Sequence, residues 1–321
     1  QIPTTAYAIS GTTLTFTGAP VSGTNNIYVM HHNTPVSTAT HPSAQDLTAT
    51  SGTFTGDVSI DGGSFVFNES SADKDFRVES NGNANMLFVD GGNDKVGIGT
   101  GSPNDYYAKD LVVNSADEGG ITILNSSTHA GGLFFADGTS ANAYRSYIQY
   151  DHNTDEMVIA TAATHAMKID ANGHVTMPKQ PAFSAYLTAS QNDIAANNSF
   201  VTVNFDTEVF DNNADFNTSN YTFTAPVTGK YQFNAAISLN NFDSSSNYAF
   251  ITVNTSNRNY YNYIGANHMD QDDRVLLPIS VLADLDASDT AYIQMAINTG
   301  TSQADIATGG VVSSFQGYLV C

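Results

Sequence analysis

Apolar and polar residues alternate with a period of two along the C-terminal part of the chain. In the stretch YTFTAPVTGKYQF, Tyr221 and Phe223 fall on one face of an extended chain, and Tyr231 and Phe233 resume the alternation after a Pro/Gly break. This pattern predicts a strand, a turn and a second strand, with one face in a core. Nine or ten such segments occupy residues 181–321 and predict a sandwich or jelly roll of ordinary domain size.

The preceding region carries similar turn residues but much less apolar bulk. Across residues 61–180, short apolar segments such as FRV, MLFV and VGIG recur every ~10 residues between Gly, Asn, Asp and Ser turns. MLFVDGGNDKVGIGT and MKIDANGHVTMP share one pattern, which indicates repeated β-units. So few large side chains should leave a single chain without a complete core. The pattern therefore favours a thin shaft in which identical chains cover one another.

The N-terminal part divides into two short regions. Residues 1–32 predict a small β-module that is too short to fold alone, so we expect its beginning to be missing from the sequence. Residues 33–60 are polar and predict a linker. The expected architecture is therefore all-β: a small module, a linker, an elongated trimeric shaft over residues 61–180, and a jelly-roll head over residues 181–321.

Charge and composition narrow the classes of partner. The chain has 10 Lys and Arg against 31 Asp and Glu, a formal net charge of −21. Such a chain is repelled by nucleic acid and by anionic membrane surfaces, and it lacks a run of about 18 apolar residues that would predict a spanning helix. We expect no nucleic-acid partner and no membrane insertion. The single cysteine, Cys321, allows either a terminal thiol without a role or an interchain disulfide.

Sequence motifs for catalysis are weak. GIGTG at 97–101 has the glycines of a phosphate loop, but no helix follows that would hold the phosphate. We find neither a G-x-S-x-G elbow nor a Cys/His pair, and acidic residues are too common for one carboxylate pair to stand out. We therefore expect no enzyme. The histidines lack zinc spacing, although His129, His165 or His174 facing a threefold axis would supply three ligands.

Two candidate sites lie next to each other in the segment NRNYYNYIGANHMDQDD. Tyrosine offers rigid contact area together with a hydroxyl, which suits binding of sugars or proteins. The candidate receptor-contact residues are Arg258, Tyr260, Tyr261, Tyr263 and His268. The following acidic loop supplies oxygens of the kind that calcium prefers; calcium is the candidate cofactor, and its candidate ligands are Asp270, Asp272 and Asp273. The alternatives are tyrosines packed in the core or between protomers, and a solvated acidic loop.

Several motifs follow one another in the C-terminal part in a distinctive order. They are AFSA at 182–185, FTAPVTGKYQF at 223–233, LDASD at 285–289 and FQGYL at 315–319. The second matches F-x-A-P-x-x-G-x-Y-x-F at every fixed position. In this order the motifs resemble the head domain shared by the complement first-component q globular domain and the tumour necrosis factor superfamily. Ser288 stands where that family has Gly. The resemblance implies a jelly roll that assembles as a threefold trimer, with calcium bound near the apex in some members.

The middle region carries a second resemblance. FRVESNGNANMLFVDGGNDKVGIGTGSP contains the run V-D-x-x-x-x-x-V-G-I-G-T-x-x-P, and it resembles segments of bacteriophage tail fibres and tailspikes. Residues 1–32 resemble small β-modules repeated in phage fibres. Together the resemblances imply a viral structural protein: a trimeric tail fibre on the extracellular virion, joined to other virion tail proteins, whose head binds a host surface glycan or protein during adsorption. The alternatives are a bacterial extracellular adhesin or lectin-like protein with the same head, and a tailspike-type glycan hydrolase.

Overall fold

A computed structural model describes most of the chain and divides it into two compact units, Gln1–Val112 and Val113–Cys321. The described residues are 7–10, 13–18, 22–23, 52–59, 66–68, 70–242, 245–265, 274–300, 303–308 and 312–321. The expected all-β class is confirmed, since strands dominate both units and the described helices are two short 3-10 turns, Pro103–Asp105 and Ser140–Tyr144. No described helix has the length and apolar character needed to cross a membrane.

The described part of the first unit contains two small sheets. One is a hairpin of two strands, Tyr7–Ser10 (β1) and Thr13–Phe16 (β2). The other has four strands in chain order, namely Phe76–Val78 (β3), Leu87–Asp90 (β4), Lys95–Ile98 (β5) and Leu111–Val113 (β6). Lys95 forms an ion pair of 2.7 Å with Asp110, where the chain enters β6.

The second unit begins with a five-stranded antiparallel sheet. Its strands are Ala130–Phe135 (β7), Ser146–Asp151 (β8), Glu156–Thr161 (β9), Thr164–Ile169 (β10) and Val175–Thr176 (β11), in the order β11-β10-β9-β8-β7. The register places Leu133, Ile148, Ile159 and Met167 in one row across four strands. This row lies on one face of the sheet, and Ala160 and Val158 are buried on the other.

The two related sequence segments form the same kind of turn. After β4, the Asp90 carboxylate accepts hydrogen bonds from the backbone N–H groups of Gly92 (3.1 Å) and Asn93 (3.0 Å). After β10, the Asp170 carboxylate accepts hydrogen bonds from the backbone of Asn172 and His174, both at 2.9 Å. An aspartate that binds its own turn closes each hairpin, which explains why the pattern recurs.

The remaining strands form two packed sheets. In chain order they are Ala182–Tyr186 (β12), Gln191–Ile194 (β13), Val201–Thr202 (β14), Thr207–Asp211 (β15), Phe216–Asn217 (β16), Thr222–Thr224 (β17), Gly229–Asn240 (β18), Tyr248–Thr255 (β19), Asn259–Gly265 (β20), Val275–Leu285 (β21), Thr290–Asn298 (β22), Ala304–Ile306 (β23) and Ser314–Leu319 (β24). The β18 sheet has the order β13-β23-β18-β24-β12-β15, with β21 along the other side of β18. The β19 sheet has the order β16-β17-β22-β19-β20, with β14 beside β22.

The core between these sheets is rich in aromatic rings, as the alternation predicts. Tyr231 and Phe233 are fully buried on β18. Phe183 stacks on Phe216 and Phe223 at centroid distances of 4.8 and 5.0 Å, and it meets the edge of Phe315 at 5.0 Å. Such ring pairs contribute about 0.5–1.5 kcal/mol each beyond their buried area.

Two positions of the central motifs behave differently from simple alternation. The alternation predicts Tyr221 on the same face as Phe223. In the structure Tyr221 has a φ of +63° and lies before the strand. Its N–H closes a turn by donating to the Asn217 carbonyl at 2.7 Å. Gly229 begins β18 where a Cβ atom would lie 2.6 Å from Leu319 Cδ1 and 2.8 Å from the Cys321 carbonyl oxygen. The motif therefore requires glycine because the chain end passes directly over it.

Candidate functional site

The structure separates the tyrosines that the sequence grouped as receptor contacts. Tyr261 and Tyr263 are exposed on the outward face of β20, an edge strand of the β19 sheet. Tyr260 points the other way and packs against the core. Arg258 lies in the turn before β20 and forms an exposed ion pair of 3.0 Å with Asp284. Of the candidates that the structure describes, Tyr261 and Tyr263 are therefore the two that share one surface.

The other predicted site residues lie outside the described residues. These are His268 and the candidate calcium ligands Asp270, Asp272 and Asp273. Within the described part of the chain, no group of three His, Cys, Asp or Glu side chains is placed to hold a metal ion. The calcium site stays a prediction.

The three histidines considered for a threefold axis are hydrogen bonded within the chain. The contacts are His129 Nδ1 to Ser126 Oγ (2.7 Å), His165 Nε2 to Tyr147 Oη (3.1 Å) and His174 Nδ1 to Asp170 Oδ2 (2.9 Å). The hydrogen bond from His174 is the largest of the effects that lower the pKa of Asp170. These contacts give each imidazole a hydrogen-bond partner within its own chain.

The outward face of the β19 sheet carries a cluster of aromatic rings, which we call the aromatic patch. It consists of Phe200, Tyr248, Phe250, Tyr261 and Tyr263. Tyr248 meets the edge of Phe250 at 4.8 Å and Tyr263 at 6.2 Å. The centroid of the Phe250 ring lies 6.1 Å from that of Phe200 and 6.4 Å from that of Tyr261. The rings therefore form one connected surface.

Sequence reasoning missed Phe200, Tyr248 and Phe250. Tyr248 and Phe250 alternate with the buried Ala249 and Ile251, so their outward direction was available from the period of two. Their proximity to Tyr261 and Tyr263 was not, because it depends on the pairing of β19 with β20.

Buried polar side chains lie among these rings. Thr252 and Asn254 are buried although they occupy outward positions of β19. The Asn254 amide donates to Thr252 Oγ1 at 2.7 Å, and the Thr252 hydroxyl donates to the Gln294 carbonyl at 3.4 Å. Tyr261 lies directly opposite Thr252 in the register. Because buried polar groups are costly unless they are hydrogen bonded, these bonds stabilise an uncharged floor beneath the rings.

A groove of about 830 Å³ lies along the neighbouring edge of the sandwich, between β20, β21 and the outward face of the β18 sheet. The Asn262 amide donates to the Pro278 carbonyl at 2.7 Å and so ties the two edge strands together. On the groove floor, the Ser280 hydroxyl donates to Asn234 Oδ1 at 2.8 Å. All residues that line the groove are uncharged.

Charged groups with shifted pKa values lie elsewhere in the head. Burial acts to raise the pKa of Asp206, but hydrogen bonds outweigh it and the net shift is downward. The strongest of these hydrogen bonds come from Thr188, whose hydroxyl and N–H donate to the Asp206 carboxylate at 2.7 and 2.9 Å. Burial raises the pKa of Asp215, and Asp211 closes the adjoining loop by accepting the Phe216 N–H at 2.8 Å. These carboxylates organise loops.

The two-layer sandwich defines the C-terminal part as a jelly-roll domain. Its sequence matches the family described as the C1q domain over residues 182–320. The chain thus ends in a C1q-type jelly-roll head, as the motifs predicted.

Solved structures with similar architecture include the globular domain of zebrafish complement 1qA, with 17% identity and a TM-score of 0.33, covering 44% of this chain and 98% of that chain. Murine APRIL has 9% identity and a TM-score of 0.33, with coverage of 44% and 100%. PRD1 vertex protein P5 has 16% identity and a TM-score of 0.33, with coverage of 44% and 98%. A comparison with curated proteins found no match.

Proposed function

We propose that the protein is a homotrimeric attachment fibre of a bacteriophage tail, whose head binds the host cell surface during adsorption. Residues near the N-terminus would join it to other virion tail proteins, and the protein would act outside the host cell by binding. The C1q-type head and the V-G-I-G-T run in the first unit support this proposal. The observation that carries it is an apolar sheet face that one chain leaves uncovered.

That face belongs to the five-stranded sheet of the second unit. Leu133, Ile148 and Ile159 are neighbours in one row and are 53%, 42% and 36% exposed. Phe135 and Met157 on the same face are also exposed. Covering apolar surface contributes about 25 cal/mol per Å², and contiguous exposed patches of this kind mark interaction sites. Copies of the same chain would cover the face and so form the shaft.

The head offers two outward surfaces with different character. The groove is lined by uncharged residues, and the outward face of β21 beside it carries exposed Leu276 and Leu282, with Asp284 at its end. Depletion of charge is typical of the centre of interfaces between protomers. We assign the outward faces of β18 and β21 to contact between heads. We assign the outward face of the β19 sheet, including Tyr261 at the rim of the groove, to the host.

The native mass tests the assembly. Light scattering should give about three times 34.1 kDa for the full chain. Ile148→Asp should reduce this mass, because it places a carboxylate in the proposed contact. Val227→Asp changes an exposed apolar residue in a turn of the head and should leave the mass unchanged. A monodisperse monomer would contradict the fibre.

The location can be tested with an antibody raised against the protein. Labelling of the tails of virus particles in electron micrographs is the expected result. Labelling of a bacterial cell surface instead would overturn the viral assignment and favour an adhesin.

A further inference from the structure

We propose that the aromatic patch is a binding platform for an uncharged glycan chain. The inference deepens the proposed function, because it rests on the head being the part that contacts a cell surface. It names the ligand class and the face of the head that binds it.

The rings supply the first requirement of a sugar site. Pyranose rings have an apolar face of C–H groups and a rim of hydroxyl groups. Tyr and Phe rings present flat, rigid apolar area, and tyrosine adds a hydroxyl that can donate or accept. Tyr261, Tyr263 and Phe200 are the most exposed rings of the patch, so they are the surfaces on which successive sugars would stack.

Amide side chains beside the rings supply the second requirement. Asn298 lies directly opposite Tyr248 in the register. Its amide donates to Asn198 Oδ1 at 2.7 Å, and it accepts a hydrogen bond from Asn247 at 2.9 Å. At the other end, the Asn259 amide donates to the Tyr261 hydroxyl at 3.3 Å. Each amide carries donors and acceptors, so these groups can bind sugar hydroxyls next to the rings.

The charge of the surface selects an uncharged ligand. Most of the patch lies on β19 and β20, Phe200 directly precedes β14, and Asn298 ends β22. None of the residues in these four strands is Asp, Glu, Lys or Arg. No cation in these strands is available to pair with a carboxylate or phosphate of an acidic glycan. The net charge of −21 also repels such a glycan at longer range.

The area of the patch favours a glycan over a second copy of the protein. Phe200, Tyr261 and Tyr263 are 45%, 55% and 68% exposed. With 150–250 Å² for each ring, these three rings offer roughly 250–420 Å². A stable protein interface needs about 800 Å² on each partner. A few sugar units fit the smaller area.

The test is direct binding of defined sugars to the full-length protein. Hexasaccharides of glucose, galactose, mannose and N-acetylglucosamine serve as uncharged probes, and polygalacturonate serves as the anionic probe, with binding followed by saturation-transfer NMR and titration. We expect at least one uncharged probe to bind and the anionic probe not to bind. Tyr261→Ala and Tyr263→Ala should each weaken binding at least about tenfold. Tyr107→Ala removes a fully exposed tyrosine in the first unit and should change nothing.

Several results would overturn the inference. These are binding of none of the uncharged probes, binding of polygalacturonate, or binding that survives both tyrosine substitutions. A fall in native mass on Tyr263→Ala would instead make the patch a contact between copies. The light-scattering mass of the unsubstituted protein separates this inference from the fibre. A trimer that binds no sugar would support the fibre and exclude glycan binding by the patch. A monomer that binds sugar through the patch would exclude the fibre and support glycan binding.

Discussion

Gly317 in β24 lies against the ring cluster of the head, and its replacement by alanine is a direct test of that packing. A Cβ atom at this position would lie 2.6 Å from Phe233 Cδ1 and 2.8 Å from Phe183 Cε1. Both rings are fully buried. Phe183 is held in place by its stacking on Phe216 and Phe223, so neither ring can move aside without disturbing others.

The expected loss follows from two opposing effects. Adding a methyl group to a filled core costs about 1–3 kcal/mol. Replacing glycine in an ordinary extended conformation lowers the entropy of the unfolded chain and so stabilises the folded state by about 0.4–1 kcal/mol. Taking the middle of each range, Gly317→Ala should lower the free energy of unfolding by about 1.3 kcal/mol. Gly265 is the matched control, because the nearest atom to its Cβ would be the Asn247 carbonyl oxygen at 3.9 Å.

Thermal unfolding of the full-length proteins at one concentration gives the answer. Near-ultraviolet circular dichroism reports tyrosine packing, and about 1 kcal/mol shifts the Tm of a domain of this size by about 2–4 °C. Gly317→Ala should lower the Tm, and Gly265→Ala should raise it slightly. If Gly317→Ala unfolds at the parental Tm or above, the rings are not packed against this glycine and the reasoning is refuted.

Three further substitutions test single features of the head. Ser288 has a φ of +77°, so Ser288→Gly should stabilise the head by about 0.5–1 kcal/mol, as measured by urea unfolding. The control Ala287→Gly should destabilise the head, and a lower free energy of unfolding for both variants would contradict this expectation. Tyr231 donates to the Val227 carbonyl at 2.7 Å, so Tyr231→Phe should cost about 0.5–1.5 kcal/mol, and an unchanged urea midpoint would show that the bond contributes nothing. Asp206 has a lowered pKa, so its stabilisation is present above the ordinary value of 3.8 and is lost as the pH falls below it. The amount by which Asp206→Asn lowers the Tm should therefore shrink as the pH falls below 3.8. An amount that stays constant would show that protonation of Asp206 does not affect stability.

Much of the head could be predicted because the determining interactions are local in sequence. Alternation in β18 places Tyr231 and Phe233 inside, and a Pro/Gly break marks the turn before them. The related Asp turns of the two hairpins were visible as a repeated pattern. Ser288 shows the limit, because it stands where the related family has Gly, and the structure gives it the left-handed conformation that glycine adopts more easily.

The all-β class, the core face of each long strand and the C1q-type head could all be predicted from residue types alone. These follow from residue type and a period of two, which report the neighbours of a residue along its own strand. The tertiary structure alone decided which strands lie side by side. It placed Phe200, Phe250 and Tyr261 within one patch, whereas the opposite directions of Tyr261 and of Tyr260, which packs against the core, already follow from the period of two. A binding surface built from several strands depends on their register, and register is set by packing across the whole sheet.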